Sequence, residues 1–177
     1  PTAVVELKSI EEENTYFLAW TTTPWTLPSN LALAVNPKTK YAKVESEGKD
    51  YILAKELVSK YFENKKIKEE ISGKDLIGKS YKPLFSYFEE KFKDTKAWTI
   101  IEADFVNTDE GTGIVHMAPA FGEDDSIACK ANDIPFIQPI DESGKFTKEV
   151  SDFSGKFVKD VDYKILKLLE DEGKLFK

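Results

Sequence analysis

No apolar stretch in this chain runs far before something stops it. Residues 3–7, 15–21, 41–45 and 51–53 are rich in β-branched and aromatic side chains and are bounded by turn-forming or charged residues, the pattern of short strands. Pro24, Pro28, Pro37, Pro83, Pro119, Pro135 and Pro139 fall where such patterns end. A residue without a backbone N–H closes a strand there instead of spoiling its middle. Residues 98–106 and 113–117 read as two more strands, and residues 47–50 as a hairpin turn between the third and fourth.

Helical spacing is confined to three places. Leu57, Val58, Tyr61 and Phe62 carry it within residues 54–62, and Ile127, Ala128 and Ala131 share a face within residues 123–132. Residues 160–172 are the clearest helix, with Val161, Ile165, Leu168 and Leu169 as the inward stripe and Gly173 as the stop. Many short strands with few helices imply an α+β, β-barrel-like domain rather than a regular βαβ sandwich. The charge-dense residues 62–70 and 89–96 read as solvated excursions.

The expectation is a single domain over residues 1–177, with 41% hydrophobic residues and a net charge of -7. No apolar run approaches the roughly 20 residues of a membrane helix. The chain opens Pro1-Thr2-Ala3 with neither an initiator Met nor a signal stretch, so a piece of a longer protein is expected. Cys129 is the only cysteine and His116 the only histidine, which rules out an internal disulfide and a Cys/His zinc cluster and points to a reducing, cytoplasmic setting. All 25 basic residues are Lys, against 32 acids. A chain so short of guanidinium groups is a poor nucleic-acid binder on its own.

One motif has to be set aside. Gly73-Lys-Asp-Leu-Ile-Gly78-Lys79-Ser80 matches the phosphate-loop pattern G-x-x-x-x-G-K-[ST] letter for letter. Phosphate wrapping requires small residues between the glycines, a buried strand before them and a long helix after. Here Leu76 and Ile77 are large and apolar, residues 65–72 are highly charged, and Pro83 follows closely. A plain loop, with Leu76, Ile77, Tyr81 and Leu84 packed inward, is the expectation.

Two segments carry chemistry. In Trp20-Thr21-Thr22-Thr23-Pro24-Trp25-Thr26-Leu27-Pro28-Ser29-Asn30, five hydroxyls and an amide crowd a strand end broken by two prolines. In Gly111-Thr112-Gly113-Ile114-Val115-His116-Met117-Ala118-Pro119-Ala120-Phe121-Gly122-Glu123-Asp124-Asp125, a glycine-flanked turn leads to the sole histidine and then to three acids at a helix start. Taken singly, each has an ordinary structural reading: threonine favours strands, and acids cap helices. A carboxylate at a helix N-terminus should have a lowered pKa, making it a weak base but a good anchor for a cation such as an α-ammonium group.

Together these segments closely resemble the editing insertion of isoleucyl-tRNA synthetases, where W-T-T-T-P-W-T-L-P-S-N and G-T-G-I-V-H-M-A-P-A-F-G-E-D-D stand in this order. The resemblance covers the whole chain, since the family's G-x-D-L-I-G-x-x-Y-x-P-L-F loop occupies residues 73–85 and accounts for the false phosphate motif. The sister valyl and leucyl enzymes have Arg in T-T-R-P where this chain has Thr23.

The resemblance implies a β-barrel-like α+β domain that hydrolyses the ester of valyl-tRNA(Ile), and of other small non-cognate amino acids. It implies catalytic roles for Thr22, Thr23 and Asp125, with Thr22 and Thr23 orienting water and ester and Asp125 holding the α-ammonium group. His116 would lie beside the ester and exclude isoleucine, while Trp20, Thr21 and Asn30 complete the pocket wall. The implied partners are the acceptor end of tRNA(Ile) and the rest of the synthetase in cis. No metal or cofactor is expected in this domain, whereas the whole enzyme would use ATP and Mg. The synthesis signatures His-Ile-Gly-His and Lys-Met-Ser-Lys-Ser are missing. A nucleophilic threonine would need a base, for which His116 is the only neutral-pH candidate. A binding module for the tRNA acceptor end that has lost hydrolysis is the alternative reading.

Overall fold

The computed structural model describes residues 1–177. Eight strands run in chain order: β1 Ala3–Lys8, β2 Thr15–Thr21, β3 Ala32–Val35, β4 Lys40–Ser46, β5 Lys49–Ala54, β6 Ile67–Ser72, β7 Thr99–Glu102 and β8 Ile114–Met117. Four helices accompany them: the short α1 Val58–Tyr61 and α2 Gly73–Leu76, then α3 Glu123–Ala131 and α4 Asp162–Asp171. Period-two alternation gives the strands β1, β2, β4 and β5 two buried faces. Val5, Leu7, Phe17, Ala19, Tyr41 and Ile52 point into the main core, while Val4, Leu18, Ala42, Val44, Tyr51 and Leu53 point into a second, smaller one. Val58 of α1, with Phe62 and Phe176, covers the second core.

The sheet order is β6-β4-β5-β2-β8-β3-β7, with β1 antiparallel on β2. Residues 79–82 then join β7 to the end of β1. Tyr81 N–H donates to Trp98 O and Ile100 N–H to Lys79 O, while Lys82 N–H donates to Lys8 O and Ile10 N–H to Ser80 O. This seam closes β1, β2, β8, β3 and β7 into a small barrel, so no sheet edge is left open around it. The segment whose letters resemble a phosphate loop therefore ends as a barrel stave, with the Ser80 hydroxyl and N–H both bonded to Glu11. Leu76 and Tyr81 are fully buried, as expected of a packed loop.

Strand β2 also forks. Its first half pairs with β5 in parallel (Phe17 opposite Ile52), and its far end meets β8 at Trp20 opposite Val115. The Gly111-Thr112-Gly113 turn fills the fork. Thr112 Oγ1 donates to Leu18 O at 2.6 Å, and Ala54 N–H donates to Thr112 O at 2.8 Å. Both glycines have left-handed φ values, +78° and +80°, and a Cβ on Gly113 would stand 2.4 Å from that of Ala54. Only a residue without Cβ fits there.

Several sequence expectations need correction. Residues 32–35 form a strand, β3, that was not anticipated, because Ala-Leu-Ala-Val holds a single β-branched residue and no aromatic. The strand expected over residues 98–106 is limited to β7, since the chain turns away once Ala103 N–H has bonded Val35 O. The excursion expected over residues 62–70 runs from residue 67 into the exposed edge strand β6, whose Lys68, Glu69 and Glu70 discourage further pairing. The hairpin turn is Glu47-Gly48, both at positive φ, with Lys49 and Asp50 already in β5. On α3 the buried residue is Cys129, whereas Ile127 is 62% exposed. The α4 stripe is as expected, and Gly173 ends it at φ +73°. No helix is long and apolar enough to cross a membrane.

Candidate active site

The single Trp20–Val115 pairing brings the two chemical segments together. Between them lies a cavity of about 310 Å³, lined among others by Trp20, Thr21, Thr22, Thr23, His116 and Asp125. Of the residues singled out in the sequence, only Asn30 does not reach its wall. Trp25, Asn107, Glu110 and Phe121 also line it. Trp25 and Phe121 lay inside the quoted motifs and pack edge-to-face, ring centres 5.1 Å apart. Asn107 and Glu110 lay in a polar loop whose one signal was its adjacency to Gly111.

The threonines differ in how far they are committed. Thr21 is buried, and its hydroxyl accepts from Thr23 N–H at 3.1 Å. Thr22 and Thr23 turn their hydroxyls to one another at 3.5 Å on the open side. Thr26 is tied inward, donating from its hydroxyl to Thr23 O at 2.8 Å. Two uncommitted hydroxyls at the wall of a cavity can hold a water and a carbonyl oxygen.

His116 is buried and bonded at both nitrogens, Nδ1 to Asn30 Nδ2 and Nε2 to Thr26 Oγ1, each at 2.8 Å. Because an amide NH₂ can only donate, Nδ1 is the acceptor and Nε2 carries the proton. Burial pushes the imidazole pKa down from 6.5 to about 4, so the ring is neutral near pH 7. With Nε2–H directed at Thr26, it has no free lone pair for Thr22 or Thr23. Asn30 stands behind it, held in turn by Tyr81, Ala32 and Trp98.

Asp125 sits in the first turn of α3, and its Oδ2 reaches back to accept from Ala118 N–H at 3.1 Å. The sequence expectation of a lowered pKa is wrong. Burial raises it, the Ala118 amide opposes that, and Asp124 adds to the rise. The helix-terminus argument ignored how far the carboxylate is drawn under the Ala118 turn and out of water. A raised pKa marks a carboxylate short of a positive partner. Its own backbone N–H also opposes the rise, and no lysine is among the groups that shift it. No three His, Cys, Asp or Glu side chains gather as a metal site, and burial pushes the Cys129 thiol up to about 12.

The fold is shared with known domains. The chain superposes on the structure of GlLeuRS-CP1 with a TM-score of 0.75 at 17% identity, over 98% of this chain and 97% of that one. On the P. knowlesi cytosolic leucyl-tRNA synthetase editing domain the TM-score is 0.68 at 10% identity, over 98% and 94%. The fold is thus that of the editing domains of class I aminoacyl-tRNA synthetases. No family model matches the sequence. It is 45% identical over 181 residues to the isoleucine–tRNA ligase of Chlamydia trachomatis serovar D, and 47% over 177 residues to that of Clostridium novyi. Each match takes in 99% of this chain and 17% of the relative's length. The chain belongs to the isoleucyl-tRNA synthetase family, of whose members it spans about a sixth, and it has the fold of the synthetase editing domains.

Proposed function

We propose that this domain hydrolyses the ester of valine and similarly small amino acids wrongly attached to tRNA(Ile). The observation that carries the reading is the convergence of Thr22, Thr23, His116 and Asp125 on one cavity. A second sieve is needed because an apolar pocket separates side chains differing by one methylene by only about 10–200-fold, isoleucine and valine being the standard case. At about 310 Å³ the cavity stands at the small end of ligand pockets, roughly 300–1,000 Å³, which suits a small aliphatic side chain.

In this reading Asp125 Oδ1 receives the α-ammonium group. The cation supplies the positive partner that no lysine provides there, and it holds the carboxylate ionised. Thr22 and Thr23 place the attacking water and the ester carbonyl. His116, Trp20 and Thr21 bound the side-chain pocket, with Asn30 holding His116 from behind. An aminoacyl ester is labile, so positioning and hydrogen bonding to the developing oxyanion carry the rate. The commitment of both His116 nitrogens favours direct attack by water over a threonyl intermediate, which would need a base. The mechanism calls on no metal or cofactor. With only lysines and an excess of acids, the domain relies on the rest of a cytoplasmic synthetase to deliver the tRNA acceptor end.

The test is hydrolysis of valyl-tRNA(Ile) and isoleucyl-tRNA(Ile) by this chain and by its Asp125→Ala variant. Valine alone should be released, and the substitution should cost about 10- to 100-fold in kcat/KM, the ~1.5–3 kcal/mol of a hydrogen bond to a charged group. Equal release of both amino acids would refute the sieve, and release unaffected by the substitution would refute the anchor.

A further inference from the structure

We propose that Tyr81, outside the cavity, is a positioning residue of this site, whose hydroxyl fixes the tautomer of His116 through Asn30 and thereby the placement of Thr26 and Thr23. Tyr81 is fully buried in the barrel seam, and its hydroxyl meets Asn30 Oδ1 at 2.5 Å. Asn30 Nδ2 lies 3.0 Å from Ala32 O and 2.8 Å from His116 Nδ1. A carbonyl oxygen only accepts, so the NH₂ faces Ala32 and His116, and Oδ1 faces Tyr81. The hydroxyl must therefore donate.

Every hydrogen in the row then points the same way. Tyr81 O–H donates to Asn30, Asn30 to His116 Nδ1, His116 Nε2–H to Thr26 Oγ1, and the Thr26 hydroxyl to Thr23 O at 2.8 Å. The opposite tautomer would need Asn30 Oδ1 turned to Nδ1 and against Ala32 O, with Thr26 donating to His116 and releasing Thr23. Without the Tyr81 hydroxyl, Asn30 Oδ1 is buried and unsatisfied, and rotation of the amide is the available relief. The proposal rests on the hydrolytic reading only for what Thr23 does afterwards. The tautomer is a separate observable.

The chain has one histidine, so a ¹⁵N-edited imidazole spectrum reports His116 without assignment. Wild-type protein should show the Nε2–H tautomer alone. Tyr81→Phe should bring in the Nδ1–H tautomer and lower kcat for valyl-tRNA(Ile) about tenfold with KM little changed, short of the ~10²-fold that a 1 Å misplacement can cost. Tyr41→Phe removes another fully buried hydroxyl, one that donates to Gly113 O at 2.6 Å, and should leave the imidazole spectrum as it was. An unchanged spectrum in folded Tyr81→Phe protein, or Nδ1–H in the wild type, overturns the proposal. Should Tyr81→Phe fail to fold, the wild-type Tyr81 hydroxyl proton decides: it must resonate as a slowly exchanging, hydrogen-bonded donor, and its absence overturns the proposal. If wild-type protein hydrolyses neither ester, the editing reading fails while the spectra still decide this one.

Discussion

Trp20 of β2 and Val115 of β8 form the one aligned pair by which these parallel strands meet. Upstream of it β2 belongs to β5, so the contact marks the place where the sheet divides. The cavity opens at this division. Residues from both segments face it because a continuous ladder would have filled the space with backbone.

Asp125→Asn should separate stability from activity. Asp125 has its pKa raised chiefly by burial, so the folded protein holds that proton more tightly than the unfolded chain. Stability then falls as pH rises from the ordinary 3.8 through the raised value, and the ionised form is a net cost at neutral pH. An asparagine can still accept from Ala118 N–H. Thermal melts at pH 7 should show a midpoint no lower than wild type while ester hydrolysis falls; a clear drop in the midpoint would mean the carboxylate stabilises the fold.

His116 gives the opposite dependence. Its folded pKa of about 4 lies below the ordinary 6.5, so the unfolded chain binds the proton first as pH falls. Stability is whole above pH 6.5 and declines toward pH 4, by up to about 3 kcal/mol. Urea melts across this range should show the decline in wild type and its absence in His116→Gln. A wild-type curve flat between pH 6.5 and 4 would contradict the buried neutral imidazole.

Two glycines at positive φ should respond unequally to alanine. Gly48 lies in the hairpin turn with nothing near an added Cβ, so Gly48→Ala should cost only the left-handed backbone, about 1–2 kcal/mol. Gly113→Ala adds the clash with Ala54 Cβ at 2.4 Å, worth about 1–3 kcal/mol more. Denaturant midpoints of the pair measure the difference, and equal midpoints would show that the fork has room to spare.

Mg·ATP should leave the melting temperature unchanged at millimolar concentration. The backbone of the letter-matching motif is already engaged: Gly78 N–H donates to Ile100 O, and Ser80 N–H to Glu11. A loop whose amides are spent in a barrel seam has none left to wrap phosphate. A shift of several degrees that vanished in Lys79→Ala would show otherwise.

Much of this architecture was legible in the sequence, and the failures share a cause. β1, β2, β4 and β5 were legible because β-branched and aromatic residues fill them and turn-forming or charged residues bound them. β3, Ala-Leu-Ala-Val, lacks that composition. The α3 stripe was misread because Cys129, small and weakly polar, was passed over in favour of Ile127, which the fold leaves in water. The family resemblance pointed to Thr22, Thr23, His116 and Asp125, which do line the cavity, yet Asn107 and Glu110 enter it from a polar loop with no pattern of its own. The sign of the Asp125 shift was missed for the same reason. Burial belongs to the assembled fold, and no neighbouring residue in the sequence announces it.

The seam at residues 79–82 also has a bearing on how the protein comes to be folded. Glu11 and Ser80, which meet across it, are 69 residues apart, and the pairing of Ser80 with Thr99 must form as well. Closing so long a loop costs entropy before any contact returns it, which makes the seam a late event. Until it forms, Tyr81 is not in place behind Asn30, so a nascent chain can hold most of its strands and still lack a working cavity.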